Sequence, residues 1–473
     1  MSELADLLGA TARYAAEYRA TLADRPVRAA ATLDELRTAF GGPLPETATD
    51  DAAVVADLIR FGEPGVVATG SPRYFGFVIG GALPASLAAD WLTSTWDQNA
   101  GLVAGGPSAA VVEDVAGAWL LDLLGLPASA SWALVTGCQM AHVTALAAAR
   151  HHVLAAHGWD LERDGLCGSP PIRVVAGDQR HATVDRALRM LGIGSSAIVE
   201  VPAGSDFRVT ADAVASTLAR LPAGPTIVCA QVGEVNTGAM DEVAGICEVA
   251  HARSAWVHVD GAFGLWAAAA PGRRHLVAGV EAADSWATDC HKWLNVPYDC
   301  GFAACAHPVS HHAAMGTRAA YLVHDTSARD AMDWTPEFSR RARGWSVYAA
   351  IRSLGRAGVA EMVERSCANA VGFAEALGRD PRVRVDNEVV LDQVLVRFVA
   401  PDGDDDALTR AVVSAVQDEG TCWMSGTTVR GRAAMRISVV NFDTSAEDID
   451  RSARAVLAAL DRVGGPPGGG VTR

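Results

Sequence analysis

Apolar residues recur three and four apart through residues 1 to about 65, and Pro26, the Gly41-Gly42-Pro43 turn and Pro64 cut that pattern into short helices. These helices read as an arm that needs a partner surface. From about Ser131 the period changes. Short β-rich runs (Ser131 to Thr136, Ile172 to Ala176, Ala197 to Val201, Thr226 to Gln231, Ala255 to Asp260 and Ser285 to Thr288) alternate with helical stretches. Strands separated by helices predict a mostly parallel sheet covered on both faces, with ligands at the carboxyl ends of its strands. A second unit begins near Trp345, where a long helix leads to strands at Val394 to Val399 and Met435 to Val440 and to a last helix from Ser445 to Arg462. The expected organisation is a helical arm over 1–70, a large α/β domain over 71–345, a small α+β domain over 346–463 and a disordered Gly/Pro-rich tail over 464–473.

Composition narrows the class. With 473 residues, 50% apolar and 20% charged, the chain buries a sizeable core. A net charge of −16, with arginines spread along the chain, argues against a nucleic-acid partner. No apolar run reaches membrane-spanning length, and Met1 to Arg28 lacks the features of a signal peptide. The nine cysteines are scattered without a CxxC pair, which predicts neither a disulfide framework nor a zinc knuckle and fits a reducing cytoplasm. His307, His311 and His312 read as an exposed helix start, and no metal site is expected. Gly192-Ile193-Gly194-Ser195-Ser196-Ala197 precedes a strand where a dinucleotide fingerprint follows one, so it carries no nucleotide reading.

One residue stands out. Among 39 lysines and arginines combined, Lys292 alone is lysine. An amine can lose its proton and attack a carbonyl to form a Schiff base, which a guanidinium cannot do. Lys292 lies 32 residues after Asp260, the carboxylate that closes the run Ala255 to Asp260 ahead of Gly261 and Ala262. This pair suits pyridoxal phosphate (PLP). A strand-end aspartate can keep the cofactor's pyridine nitrogen protonated while a lysine carries its aldehyde, and a small Ala262 leaves room for the ring. Taken alone, Asp260 has a competing role as a turn cap.

His258-Val259-Asp260-Gly261-Ala262, Ala283-Asp284-Ser285-Trp286, His291-Lys292-Trp293-Leu294 and Asp299-Cys300-Gly301 together resemble the PLP-dependent group II amino-acid decarboxylases, which include aromatic amino-acid and glutamate decarboxylases. The resemblance runs from about residue 70 to 460. It implies a fold-type I architecture with a mostly parallel seven-stranded sheet, and a homodimer with active sites at the subunit interface. It also implies decarboxylation of an L-amino acid through an internal aldimine on Lys292 and a quinonoid. Lys292, Asp260 and His181 are then catalytic, His181 stacking on the cofactor ring, although a helix-start histidine is its competing role. Gly137, Cys138 and Gln139 resemble the family's phosphate turn ahead of a helix from Val143 to Ala155, a form in which backbone N–H groups hold the dianion. Asn236 or Thr237 is expected near the cofactor, with Ala262, Asp289 and His291 also at its site. Glu113 matches the pocket entrance, Arg436 a carboxylate-binding arginine, and Phe77, Val78, Ile79 and Gly80 a pocket lining without strong charge.

Two positions depart from the family pattern. The family's loop tyrosine, which protonates the carbanion, corresponds to Ala331, and no tyrosine lies between Tyr321 and Tyr348. That leaves His181, His324 or water as proton source, or implies an aldehyde-forming oxidase. Asp289 stands where many decarboxylases carry Asn, and an Asp-x-His-Lys pattern resembles sphingosine-phosphate lyases, which adds a C–C lyase or aldolase as an alternative.

Overall fold

A computed structural model describes residues 3–317 and 329–464. The stretch from Tyr321 to His324, and the tail beyond Gly464, lie outside the described residues. The chain divides into two compact units.

The first unit comprises Met1–Ile79, Gly372–Asp386 and Leu395–Arg473. It opens with α1 (Glu3–Thr21), α2 (Leu33–Phe40) and α3 (Asp51–Gly62), none of which contains a buried residue. A capping box starts α2: the Thr32 side chain accepts from the Glu35 N–H while the Glu35 carboxylate takes the Thr32 N–H.

The second unit, Gly80–Val371 with Asn387–Val394, carries the helices α4 (Pro84–Trp96), α5 (Pro107–Leu123) and α6 (Cys138–Ala155). Its sheet consists of β1 (Ser131–Val135), β2 (Arg173–Gly177), β3 (Ile198–Val201), β4 (Thr226–Gln231), β5 (Trp256–Asp260), β6 (Ser285–Asp289) and β7 (Gly301–Cys305), in the order β1-β7-β6-β5-β4-β2-β3. Strands β2 to β6 are parallel, and β7 runs antiparallel between β6 and β1. Every run expected here is a strand, with ends within one residue. β7 is the addition. Gly-Phe-Ala-Ala-Cys has no β-branched residue, and pairing on both sides supplies what propensity lacks. The central strands β5 and β6, and β1 at the sheet's edge, are buried along their whole length, as expected of strands covered on both faces.

Helix α6 begins at Cys138, five residues earlier than its apolar run announces, so Cys138 and Gln139 form its first turn. It packs across β1 and β4 to β7 through an almost entirely buried surface. Gly301 lets β7 pass this turn, since a Cβ there would lie 2.4 Å from the Gly137 carbonyl carbon. The histidines expected at an exposed helix start need one correction. His311, in the helix Pro308–Met315, is buried, with Nδ1 2.9 Å from Ser131 Oγ and Nε2 2.9 Å from the Trp334 carbonyl oxygen. With both ring nitrogens satisfied, its burial costs little.

The first unit also holds β8 (Val383–Val385), most of β9 (Gln393–Phe398), β10 (Ser425–Val429) and β11 (Arg432–Ser438), in the sheet order β10-β11-β9-β8, and a final helix Ala446–Gly464. Among the described residues, no helix is long and apolar enough to cross a membrane.

Candidate active site

Three strand ends of the second unit supply the chemistry: β1 leading through Gly137 into α6, β5 ending at Asp260, and β6 ending at Asp289. Carboxyl ends of parallel strands are where open α/β sheets place ligands. Lys292 follows β6 by three residues, and its Nζ lies 2.8 Å from Asp289 Oδ2. The other oxygen, Asp289 Oδ1, accepts the Cys138 N–H at 2.6 Å and stands 3.5 Å from His291 Nε2. Asp289 is itself anchored, its N–H donating to the Ala262 carbonyl at 3.0 Å and its carbonyl accepting the Trp266 indole N–H at 3.0 Å. Burial lowers the pKa of the Lys292 amine, and Asp289, with Cys138 and Asp260, together more than reverse that, leaving it above the ordinary lysine value.

Asp260 is also buried, but its company is different. Its Oδ1 accepts the Ala262 N–H at 3.1 Å, and its Oδ2 lies 3.5 Å from His142 Nε2. Behind it, His142 Nδ1 is 2.9 Å from His258 Nε2, and His258 Nδ1 is 2.9 Å from Ser285 Oγ, which also takes the Trp256 indole N–H at 2.9 Å. Burial pushes the Asp260 pKa up, and His142, His181, the Ala262 N–H and Lys292 together pull it below the ordinary carboxylate value. Burial pushes His142 down and His258 down to about 3, so both imidazoles are neutral. The sequence pattern assigns neither a role, although two signals were present. His258 precedes Asp260 by two residues, which on a strand places both on one face, and His142 interrupts an apolar helix.

The remaining candidates fall into three groups. His181 caps the helix Ala182–Met190 and is exposed, its Nδ1 accepting from the Thr183 N–H and lying 2.8 Å from Thr183 Oγ1. Gln139 donates through Nε2 to the Thr183 carbonyl at 3.3 Å, and its buried Oε1 has no partner. Asn236 and Thr237 belong to a turn organised by Glu234, whose carboxylate accepts the N–H of each and the Thr237 hydroxyl. Gly80 packs on the lysine segment, where a Cβ would lie 2.0 Å from the Lys292 carbonyl oxygen. Phe77, Val78 and Ile79 belong to the first unit, Phe77 and Val78 at φ of 55° and 57°, as does Arg436, buried on β11. Glu113 is buried within α5 and pairs with buried Arg340 at 2.8 Å. Asp392, missed in the sequence, accepts the Trp293 indole N–H at 3.1 Å, and burial pushes its carboxyl up to about 7.

The donor set suits PLP. An amine follows one strand, a buried anion ends its neighbour, and an 18-residue helix starts beside both, its N-cap Gly137 bringing no capping side chain and its first N–H given to Asp289. Since Gln139 offers an unpartnered acceptor, a phosphate at this turn depends on backbone N–H groups.

Residues 35–399 match the profile of the pyridoxal-dependent decarboxylase conserved domain. A tyrosine decarboxylase of Oryza sativa subsp. japonica is 33% identical over 399 residues, spanning 79% of this chain and 72% of that protein. A 4-hydroxyphenylacetaldehyde synthase of Rhodiola rosea is 26% identical over 435 residues, spanning 87% of this chain and 85% of that one. The crystal structure of Oryza sativa TDC with PLP and tryptamine superposes with a TM-score of 0.90 at 24% identity over 98% of both chains, a likeness of fold.

Proposed function

The chain belongs to the pyridoxal-dependent decarboxylase family, and from that premise we propose that it removes the α-carboxylate of an L-amino acid as CO2, leaving the amine. When bound, pyridoxal phosphate supplies an aldehyde that condenses with amines and a ring that accepts the electron pair left as the carboxylate departs. The observation that carries the reading is the placing of Lys292 and the buried, ionised Asp260 at the ends of neighbouring strands.

In this reading Lys292 is the attaching amine and Asp260 holds the proton on the ring nitrogen. His181, its plane set by Thr183, covers the ring face and is a candidate proton relay. Gly137, Cys138 and Gln139 form the phosphate turn, where the Cys138 N–H is given to Asp289 and the neighbouring backbone N–H groups would hold the dianion, and Ala262, Asn236, Thr237, Asp289 and His291 complete the cofactor site. Arg436 takes the substrate carboxylate, with Phe77, Val78, Ile79 and Gly80 lining the pocket. Aromatic amino acids are the first substrates to try, given the tyrosine decarboxylase among the relatives. The uncovered helices α1 to α3, with Leu4, Leu8 and Leu33 each more than half exposed, support a homodimer in which a second copy covers them.

A second reading is an oxidase that converts the amino acid, O2 and water into aldehyde, CO2, ammonia and hydrogen peroxide. Ala331 at the tyrosine's place supports it, as does the aldehyde synthase relative. Incubating purified enzyme with each amino acid while following CO2, amine, O2 and ammonia separates the two. CO2 matched by amine without O2 uptake is expected, O2 uptake with ammonia favours the second reading, and aldehyde without CO2 overturns both.

A further inference from the structure

The chain of side chains behind Asp260, hydrogen-bonded from His142 to Trp256 and meeting the carboxylate across the 3.5 Å between His142 Nε2 and Asp260 Oδ2, has fixed ends. At one end is a carboxylate that only accepts; at the other, the Trp256 indole N–H only donates. One arrangement of protons satisfies every link between them. Ser285 accepts from Trp256 and donates its hydroxyl to His258 Nδ1; His258 Nε2–H donates to His142 Nδ1; His142 Nε2–H then faces Asp260 Oδ2. The reverse arrangement would turn an imidazole lone pair toward a buried anion. We propose that His142, held by His258 and Ser285, is a positioning residue that presents its Nε2–H to Asp260 and so keeps the carboxylate oriented and ionised for the cofactor's ring nitrogen.

This deepens the function proposed above and rests on its assignment of Asp260. The register supports it, since Ser285 lies directly opposite His258 in the β5–β6 pair, and α6 brings His142 onto the same sheet. All three side chains are buried at 0% exposure, so water does not compete for the links. Neutral imidazoles can pass this orientation along without adding a charge that would itself need a partner. Cys138 Sγ, 3.4 Å from His142 Nε2, is the nearest competitor, and burial raises its pKa well above the usual thiol value, so it remains a weakly accepting S–H.

The test is to load wild type, His142→Phe, His142→Gln and Ser285→Ala with pyridoxal phosphate carrying 15N in the ring, then to record the ring-nitrogen resonance at one neutral pH together with cofactor retention on dilution. Wild type is expected at the protonated position. His142→Phe should move toward the neutral-pyridine position and bind the cofactor about tenfold more weakly, the scale of a hydrogen bond to a charged group. His142→Gln, which keeps an N–H donor near the Nε2 position, should stay near wild type. An unprotonated ring in wild type would overturn the assignment of Asp260 itself. A protonated wild type with an unmoved His142→Phe overturns the role of His142 alone. Should His142→Phe not fold, Ser285→Ala decides, because it removes the terminal hydroxyl with little change of volume. A smaller shift in the same direction sustains the proposal, and no shift overturns it.

Discussion

Asp260 and Asp289 end adjacent parallel strands, are both almost fully buried, and are handled in opposite ways. Asp289 is held by charge: the Lys292 ammonium at 2.8 Å and the N-terminus of α6 at 2.6 Å. The groups that touch Asp260 are neutral, namely the Ala262 N–H and the imidazole chain that ends on Trp256, and Lys292 contributes the smallest of the pulls on it. A buried anion beside a cation is neutralised before any ligand arrives. One surrounded by neutral donors keeps a net charge to offer a ligand. The Asp260 end is therefore suited to a protonated ring, and the Asp289 end to storing an amine.

The largest expected effect lies at the amine. Lys292→Ala should lower kcat/KM at least about a thousandfold, since no other lysine exists to replace it. Borohydride reduction of the loaded wild type should leave a pyridoxyl label on Lys292, and the variant should carry none. Label elsewhere in the variant would break the assignment.

The contrast between the two carboxylates is sharpened by the same change at each. Asp260→Asn removes the charge facing the ring, and kcat should fall about a hundredfold or more while the fold persists by circular dichroism. Asp289→Asn leaves the catalytic charge in place and frees Lys292 from its counter-ion. Burial then dominates, the amine's pKa falls, and attachment of the cofactor should reach half-completion at a pH lower by about one unit or more. If both variants lost activity alike and neither moved the attachment curve, the two carboxylates would not differ in the manner described.

Most of the scaffold was legible in residue patterns, because strands buried on both faces are written as short apolar runs between helices. β7 was not, since Gly301–Cys305 becomes a strand only through its neighbours. In the site, Lys292 was visible through its scarcity and Asp260 through its place after an apolar run. The contact of Asp289 with the first N–H of α6 depends on where that helix begins, and the apolar pattern put the start five residues late. His142 and His258 lie 116 positions apart, and nothing local to either announces the other. Their link exists only once α6 lies across β5.

The smallest expected effect concerns stability and separates the two ends by pH. Burial pushes His258 down to about 3 in the folded chain, from the ordinary imidazole value of about 6.5. As pH falls between those values, the unfolded chain binds a proton that the folded chain refuses, so stability drops by about 1.4 kcal/mol per pH unit from this residue. Above the unfolded pKa its contribution is constant. His142, also shifted down, acts in the same direction. Lys292 has the opposite linkage. Its raised pKa gives stability that is complete below the unfolded value and is lost as pH climbs through the folded one, so it contributes no slope in the acid range. Urea unfolding of wild type and His258→Gln at several pH values between 5 and 7.5 reads the difference. Whatever the variant loses at pH 7.5, its stability should decline less steeply toward pH 5 than that of wild type. Parallel declines would mean that His258 is not held neutral, and the contrast between a neutral and an ionic carboxylate would fail at its neutral end.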